Sequence, residues 1–198
     1  ISSIEPNLLT DEIIDFVASS KKFMPHFHIP LQTGVDRLLR AMRRKYDTAL
    51  YRSRVEHIKA VMPNACIGVD VIVGFPGETD EDIQRTASFL QDLQVSYLHV
   101  FTYSERQNTR APQLADPVPV QKRRERNYIL RNISDRLTKQ FYREQENHTF
   151  PVLWEEGDVK DDWMYGYTSN YVRVRAGREE LDFGGITSVV LNQYLEEE

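Results

Sequence analysis

The stretch Cys66–Glu78, CIGVDVIVGFPGE, limits the fold more than any other part of the chain. Val69, Val71 and Val73 alternate with Asp70, Ile72 and Gly74, and the run is rich in β-branched residues. So apolar a segment, set among strand–helix repeats, predicts a parallel strand covered on both faces. Asp70 is the polar exception and needs a partner if it is buried. Gly74, Pro76 and Gly77 then stop the strand, because glycine permits close backbone approach and proline fixes a turn. Thr79 is a natural helix cap, with Asp80, Glu81 and Asp82 at the positive end of the helix it starts. Ligands of α/β folds sit in such turns, at the carboxyl ends of strands. The same residues also suit a βα loop that only reverses the chain.

Around this stretch the chain repeats strand and helix about four times. Ser2–Glu5 reads as a short strand, and Thr10 caps a helix to about Ser20. His26–Leu31 is the next strand, leaving through Gln32-Thr33-Gly34. A helix from Asp36 carries Leu38, Leu39 and Met42 and ends in Arg43-Arg44-Lys45. Thr48 caps another that runs to Pro63. A helix over about Thr79–Leu93 and a strand over Ser96–Thr102 follow. Pro112, Pro117 and Pro119 mark a linker. Next comes a long helix, about Val120–Asn147, with an apolar stripe of Tyr128, Ile129, Ile133, Leu137 and Phe141. Its polar face includes Lys122, Arg123, Arg124, Arg126 and Arg131. From His148 the pattern changes to short alternating strands at Pro151–Glu155, Met164–Tyr167, Tyr171–Arg175 and Ser188–Leu191. Turns at Gly157, Ser169-Asn170 and Gly184-Gly185 separate them, which predicts a small all-β barrel or sandwich.

A net charge of -5 excludes a generally basic nucleic-acid binder, though not local basic patches. One cysteine, Cys66, allows no internal disulfide and favours a reducing, cytoplasmic setting. No apolar run reaches membrane-spanning length. The chain opens on Ile1-Ser2-Ser3-Ile4-Glu5-Pro6 with no initiator Met, and reads as a piece whose N-terminal part is missing.

Four motifs in order, SSIEPNLLTDEII, HFHIPLQTG with the RKY that follows, CIGVDVIVGFPGET and LHVFTYSER, resemble the radical S-adenosylmethionine (SAM) methylthiotransferases. Within that family they resemble the branch acting on N6-threonylcarbamoyladenosine in tRNA. The resemblance covers about residues 1–147, and the tail at 148–198, with GYTSNYVRV, looks like the family's TRAM domain. It implies an α/β partial (βα) barrel of the radical SAM type, truncated at its N-terminus, followed by a small all-β TRAM domain. It further implies S-adenosyl-L-methionine and two [4Fe–4S] clusters in the full-length protein, and methylthiolation at C2 of the adenosine beside the anticodon. The partner is then the tRNA anticodon stem–loop. A single cysteine cannot supply the cluster's three thiolates, so this portion is expected to lack iron and to be inactive alone. Gln107-Asn108 departs from the Pro-Gly that relatives carry after YSER.

Carried over residue by residue, the resemblance implies a cofactor site at Ser3, Glu5, Gln32, Thr33, Ile72, Gly74, Glu78, Phe101, Tyr103 and Ser104. Glu78 orders the glycine loop, and Phe101 suits either an adenine contact or the core. Arg43, Arg44 and Lys45 can hold RNA phosphates, and Tyr165, Tyr167, Tyr171, Arg173 and Arg175 combine stacking surfaces with cations. His26 and His28 share a strand face, but no third metal ligand is evident, and Asp70 with Glu105 is a weak acid–base pairing. Rival readings are a relative acting on isopentenyladenosine or a ribosomal protein, a non-catalytic RNA-binding module, and a barrel enzyme for a phosphorylated metabolite. A half-barrel with an open sheet edge is also expected to self-associate.

Overall fold

The computed structural model describes residues 1–105, 116–155, 163–177 and 184–195. Gln107-Asn108, Pro112, the Gly157 turn and the acidic end Glu196–Glu198 lie outside the described residues. The first 105 residues form α1 (Asp11–Ser19), β1 (His26–His28), α2 (Asp36–Ala41), α3 (Thr48–Val61), β2 (Cys66–Val73), α4 (Asp80–Asp92) and β3 (Tyr97–Thr102). β1, β2 and β3 make a parallel sheet in that order. The long helix α5 (Val120–Glu144) follows, then β4 (Thr149–Glu155), β5 (Trp163–Thr168), β6 (Arg173–Gly177) and β7 (Ile186–Val190).

The parallel sheet has two unlike faces. Phe27, Ile29, Ile67, Val69, Val71, Val73 and Leu98 are buried against α1, α3, α4 and α5 in the main core. On the inner face Asp70 and Ile72 are only half-buried, so β2 is not covered on both sides as its apolar sequence predicts. Cap chemistry fixes the helix starts. Thr10 accepts from the Ile13 amide, and Thr79 forms a capping box with Asp82. α3 is capped by Asp47 rather than Thr48, because the Asp47 carboxylate takes the Leu50 amide while the Thr48 amide goes to Asp36.

Two predicted strands are interrupted. Residues 1–4 bond to β1 through His28 N–H to Ile1 and Ile4 N–H to His28. Those contacts stand three residues apart on the outer segment, and Ser3, at φ 53°, takes up the extra residue as a bulge does. His26–Leu31 is regular only to His28. Pro30 has no amide to give, and Gln32 adopts φ 73° before bridging Val71. The helix after Asp36 ends at Ala41, short of the basic run.

α5 buries Ile133, Leu137 and Phe141 as its sequence suggests, but Ile129 is exposed and the stripe's amino-terminal half is shifted. Tyr128 is exposed, and the buried set is Arg123, Arg126, Leu130, Ile133, Leu137 and Phe141. Its polar residues seal the free edge of β3. The Ser134 hydroxyl accepts from Leu98 N–H at 2.8 Å and donates to Leu98 C=O at 3.1 Å, and Asn127 Nδ2 donates to Val100 C=O at 3.2 Å. The sheet's edge at β3 is therefore closed, while the open edge expected from missing early strands lies on the opposite, β1 side.

In the tail the described residues form one antiparallel sheet, ordered β6-β5-β4-β7, rather than a closed barrel or sandwich. Val152, Trp154 and Met164 pack on its inner side with Val174, Ala176 and Val189. The turn after β5 anchors this sheet beneath the first. Asn170, fully buried, donates to Asn64 C=O at 2.8 Å and to Gln145 Oε1 at 3.1 Å. Val172 completes a cluster with Cys66 and Phe141.

Candidate functional site

The carboxyl ends of the parallel strands form a rim, and β2 carries its centre. Ile72 pairs with Phe101 in register on the inner face, and Phe101 is 53% exposed, which excludes a core role for it. Gly74 follows at φ 81°, and a β-carbon there would stand 2.4 Å from Arg123 Cγ. Its amide donates to Glu78 Oε1 at 2.7 Å, which ties the glycine loop across itself. That same oxygen accepts from Arg126 Nη1 at 2.8 Å, and the side chains are only 2% and 7% exposed. Burial pushes the Glu78 carboxyl above its usual range, opposed by the Gly74 amide and the Arg126 guanidinium. Arg126 continues to Asp80, so α5 and the start of α4 are pinned to one loop.

Arg123 ties the other side of the rim. It donates to the Tyr103 and Val118 carbonyls and to Glu105, and its guanidinium lies 5.3 Å from the Tyr103 ring centroid. Tyr103 packs on Phe75, and its buried hydroxyl has no hydrogen-bond partner among the described residues. Ser104 is exposed beside it. Arg123 and Arg126 read as solvent-facing in the sequence. The missed signal is spacing: 123, 126, 130, 133 and 137 continue one helix face.

Other predicted rim residues are differently placed. Gln32 is buried in its bridge to β2. Thr33 turns away from the rim: it is 1% exposed and its hydroxyl meets that of Thr86 on α4. Glu5 binds Arg44 at 2.7 Å, so these two expected ligand residues pair with each other. Ser3 Oγ lies 3.2 Å from His28 Nδ1, on the inner face below the rim.

The rest of the inner face is a layer of rings. Asp70 has its partner in His28, at 2.8 Å from Nε2, and Glu105 instead serves Arg123, so no Asp70–Glu105 pair forms. His26 Nε2 lies 3.0 Å from the Tyr97 hydroxyl. His99 meets both Tyr97 and His28 edge-on. Gly68 makes room for this layer, since a β-carbon there would stand 2.3 Å from the Tyr97 ring. Burial, then the nearby amino terminus and His28, push the His26 pKa down to about 4, so it is neutral at pH 7. Among the described residues no group of three His, Cys, Asp or Glu could hold a metal ion.

The tail residues divide into two sets. Trp163, Tyr165 and Tyr167 alternate along β5 on the outward face, opposite Arg175 and Arg173. Arg173 lies 5.1 Å from the Tyr165 ring centroid and Arg175 4.8 Å from that of Trp163. Trp163 escaped the sequence reading, although it continues the 163, 165, 167 alternation. Tyr171 is not part of β6. It sits in the preceding turn at φ 66° and stacks on His26, ring centroids 4.3 Å apart. Tyr171 thus meets the amino-terminal end of β1, opposite the rim. β2 alone separates its two ends by roughly 23 Å, from the usual parallel rise per residue. Arg43 and Lys45 are exposed.

The rim suits an adenine-bearing ligand: Ile72 and Phe101 present an apolar surface, and the unpartnered Tyr103 hydroxyl lies nearby. A cluster does not fit this chain's donors. Cys66, its one cysteine, is buried at the far end of β2, and burial pushes its thiol pKa up to about 11.

Comparison with known proteins agrees with this geometry. Residues 2–90 match the Radical SAM superfamily. The chain shares its fold with coproporphyrinogen III oxidase from Escherichia coli, described as a radical SAM enzyme. The TM-score is 0.57 at 16% identity, over 85% of this chain and 46% of that one. Residues 2–90 are thus a radical SAM segment. The chain is related to the tRNA methylthiotransferases. It is 39% identical to the threonylcarbamoyladenosine tRNA methylthiotransferase of Bacillus subtilis, over 96% of this chain and 43% of that protein. It is 37% identical to a tRNA-2-methylthio-N(6)-dimethylallyladenosine synthase of Kineococcus radiotolerans, over 81% and 32%. The chain thus spans less than half the length of either relative.

Proposed function

We propose that the chain is the cofactor-rim and RNA-binding portion of a radical SAM tRNA methylthiotransferase acting at C2 of N6-threonylcarbamoyladenosine. One observation carries the reading: similarity to a threonylcarbamoyladenosine tRNA methylthiotransferase over 96% of the chain. In this reading a cluster held by residues outside these 198 and S-adenosylmethionine supply the radical that activates an aromatic C–H, which no side chain can do. The chain's own task is placement. Ile72 and Phe101 receive the adenine of the cofactor, and Gly74, locked by Glu78, brings backbone close to it. Ser104 lines the approach, and Tyr103 offers a hydroxyl. The tail acts as a TRAM domain whose Trp163, Tyr165 and Tyr167 stack on unpaired bases while Arg173 and Arg175 meet phosphates. Arg43 and Lys45 add cations on the rim side.

The test uses the full-length protein with its iron–sulfur supply. Cellular tRNA from cells with and without it is digested and read by mass spectrometry. A methylthio gain on threonylcarbamoyladenosine is the expected result. A gain on isopentenyladenosine instead would move the chain to the branch of its dimethylallyladenosine relatives. A second reading, a non-catalytic RNA-binding module, is favoured by the outward aromatic–arginine face of β5 and β6. It would stand if no nucleoside changed while the chain still bound tRNA with strong salt dependence.

A further inference from the structure

A hollow of about 310 Å³ lies in the helical layer just behind the rim. Gly34, Asp36, Arg37, Arg40, Thr48 and Arg85 line it, so three arginines from α2 and α4 border one hollow. They are not equivalent. Arg37 is committed to the Asp82 carboxylate and the Gly77 carbonyl. Arg40 and Arg85 are exposed and have no partner among the described residues. The one carboxylate in the lining, Asp36, already accepts the Thr48 amide. At the start of α3, Asp36 and Asp47 already take the Thr48 and Leu50 amides. The hollow therefore offers two uncommitted guanidiniums, one braced guanidinium and one carboxylate. That is a cationic concavity on a chain whose net charge is -5.

Guanidinium forks match phosphate oxygens in charge and shape. The wall at Gly34 follows Gln32-Thr33, the turn by which the chain leaves β1, and the Gly34 amide is held by the Thr86 hydroxyl of α4. Arg43 and Lys45 are exposed just past α2. We propose that this hollow seats a backbone phosphate of the bound RNA, with Arg40 and Arg85 as its ligands, and so holds the strand next to the rim. The proposal rests on the RNA reading above but concerns a different surface from the tail.

The test is binding of a short fluorescein-labelled RNA stem–loop to the 198-residue chain, by anisotropy, between about 50 and 200 mM salt. Arg40→Gln and Arg85→Gln replace exposed side chains, so circular dichroism should show intact folding. Losing one phosphate contact lowers the slope of log K against log salt by about one. The double variant is expected to lose about one unit or more. Lys21→Gln, before the amino-terminal end of β1, is expected to lose none. An unchanged slope in the double variant, with RNA still bound, overturns the site and leaves the RNA reading intact. If RNA does not bind, yet inorganic phosphate shifts the Gly34 amide resonance in the wild type and not in the double variant, the polynucleotide assignment falls.

Discussion

The two ends of the parallel sheet are built from opposite materials. At the carboxyl ends, the left-handed backbone at Gly74 is held through Glu78 by Arg126, and Arg123, also from α5, ties down the Tyr103 carbonyl. At the amino ends, Cys66, Phe141 and Val172 pack together around neutral hydrogen bonds from Asn170. Charge fixes the end that approaches a ligand, where backbone must sit in one shape. Packing and neutral amides fix the end that only joins two sheets.

Removing one partner of a buried charge pair is the strongest way to break this comparison. Arg126→Met strands the Glu78 carboxylate and should cost about 3–5 kcal/mol in urea unfolding. Faster hydrogen exchange at the Gly74 amide should accompany it. A loss below about 1 kcal/mol would mean that packing holds the rim as well. Asn170→Ala removes hydrogen bonds without removing charge. It should cost about 1–3 kcal/mol, with little dependence on salt. A strongly salt-dependent loss would erase the contrast between the ends.

Ser134→Ala should cost about 1 kcal/mol, because it leaves the Leu98 amide without its acceptor. Sedimentation should then show more self-association than in the wild type. The smallest effect is one of pH. Folding lowers the His26 pKa from 6.5 to about 4, so between those values the unfolded chain binds more proton than the folded one. Stability from this group is complete above about 6.5 and declines as pH falls toward about 4. The imidazole is partly exposed, so solvent damps the effect. His26→Phe should flatten that part of a melting-temperature profile while keeping a ring against Tyr171.

What the sequence made legible was local. Thr10 and Thr79 announce their helices because a cap needs only residues within one turn. Gly74 and Gly77 announce the loop because left-handed backbone favours glycine. Other features depend on partners far away in the chain. Arg123 and Arg126 read as solvent-facing until the buried carbonyls and Glu78 that receive them are in place. Tyr171 reads as a strand residue until the turn that holds it sets it on His26. The split of β1 was half visible: Pro30 signalled a missing amide, but nothing local marked Gln32 as left-handed.

The hydroxyl of Ser134 and the amide of Asn127 have a consequence for how such a sheet can grow. They occupy backbone groups on the outer edge of β3 that a neighbouring strand would need. The sheet is therefore polar across its width, with a finished side at β3 and an extensible side at β1. A further strand of a longer chain, or a strand lent by another molecule, finds its docking edge beyond residues 1–4. Two small side chains on a helix thus set the direction in which the barrel is assembled.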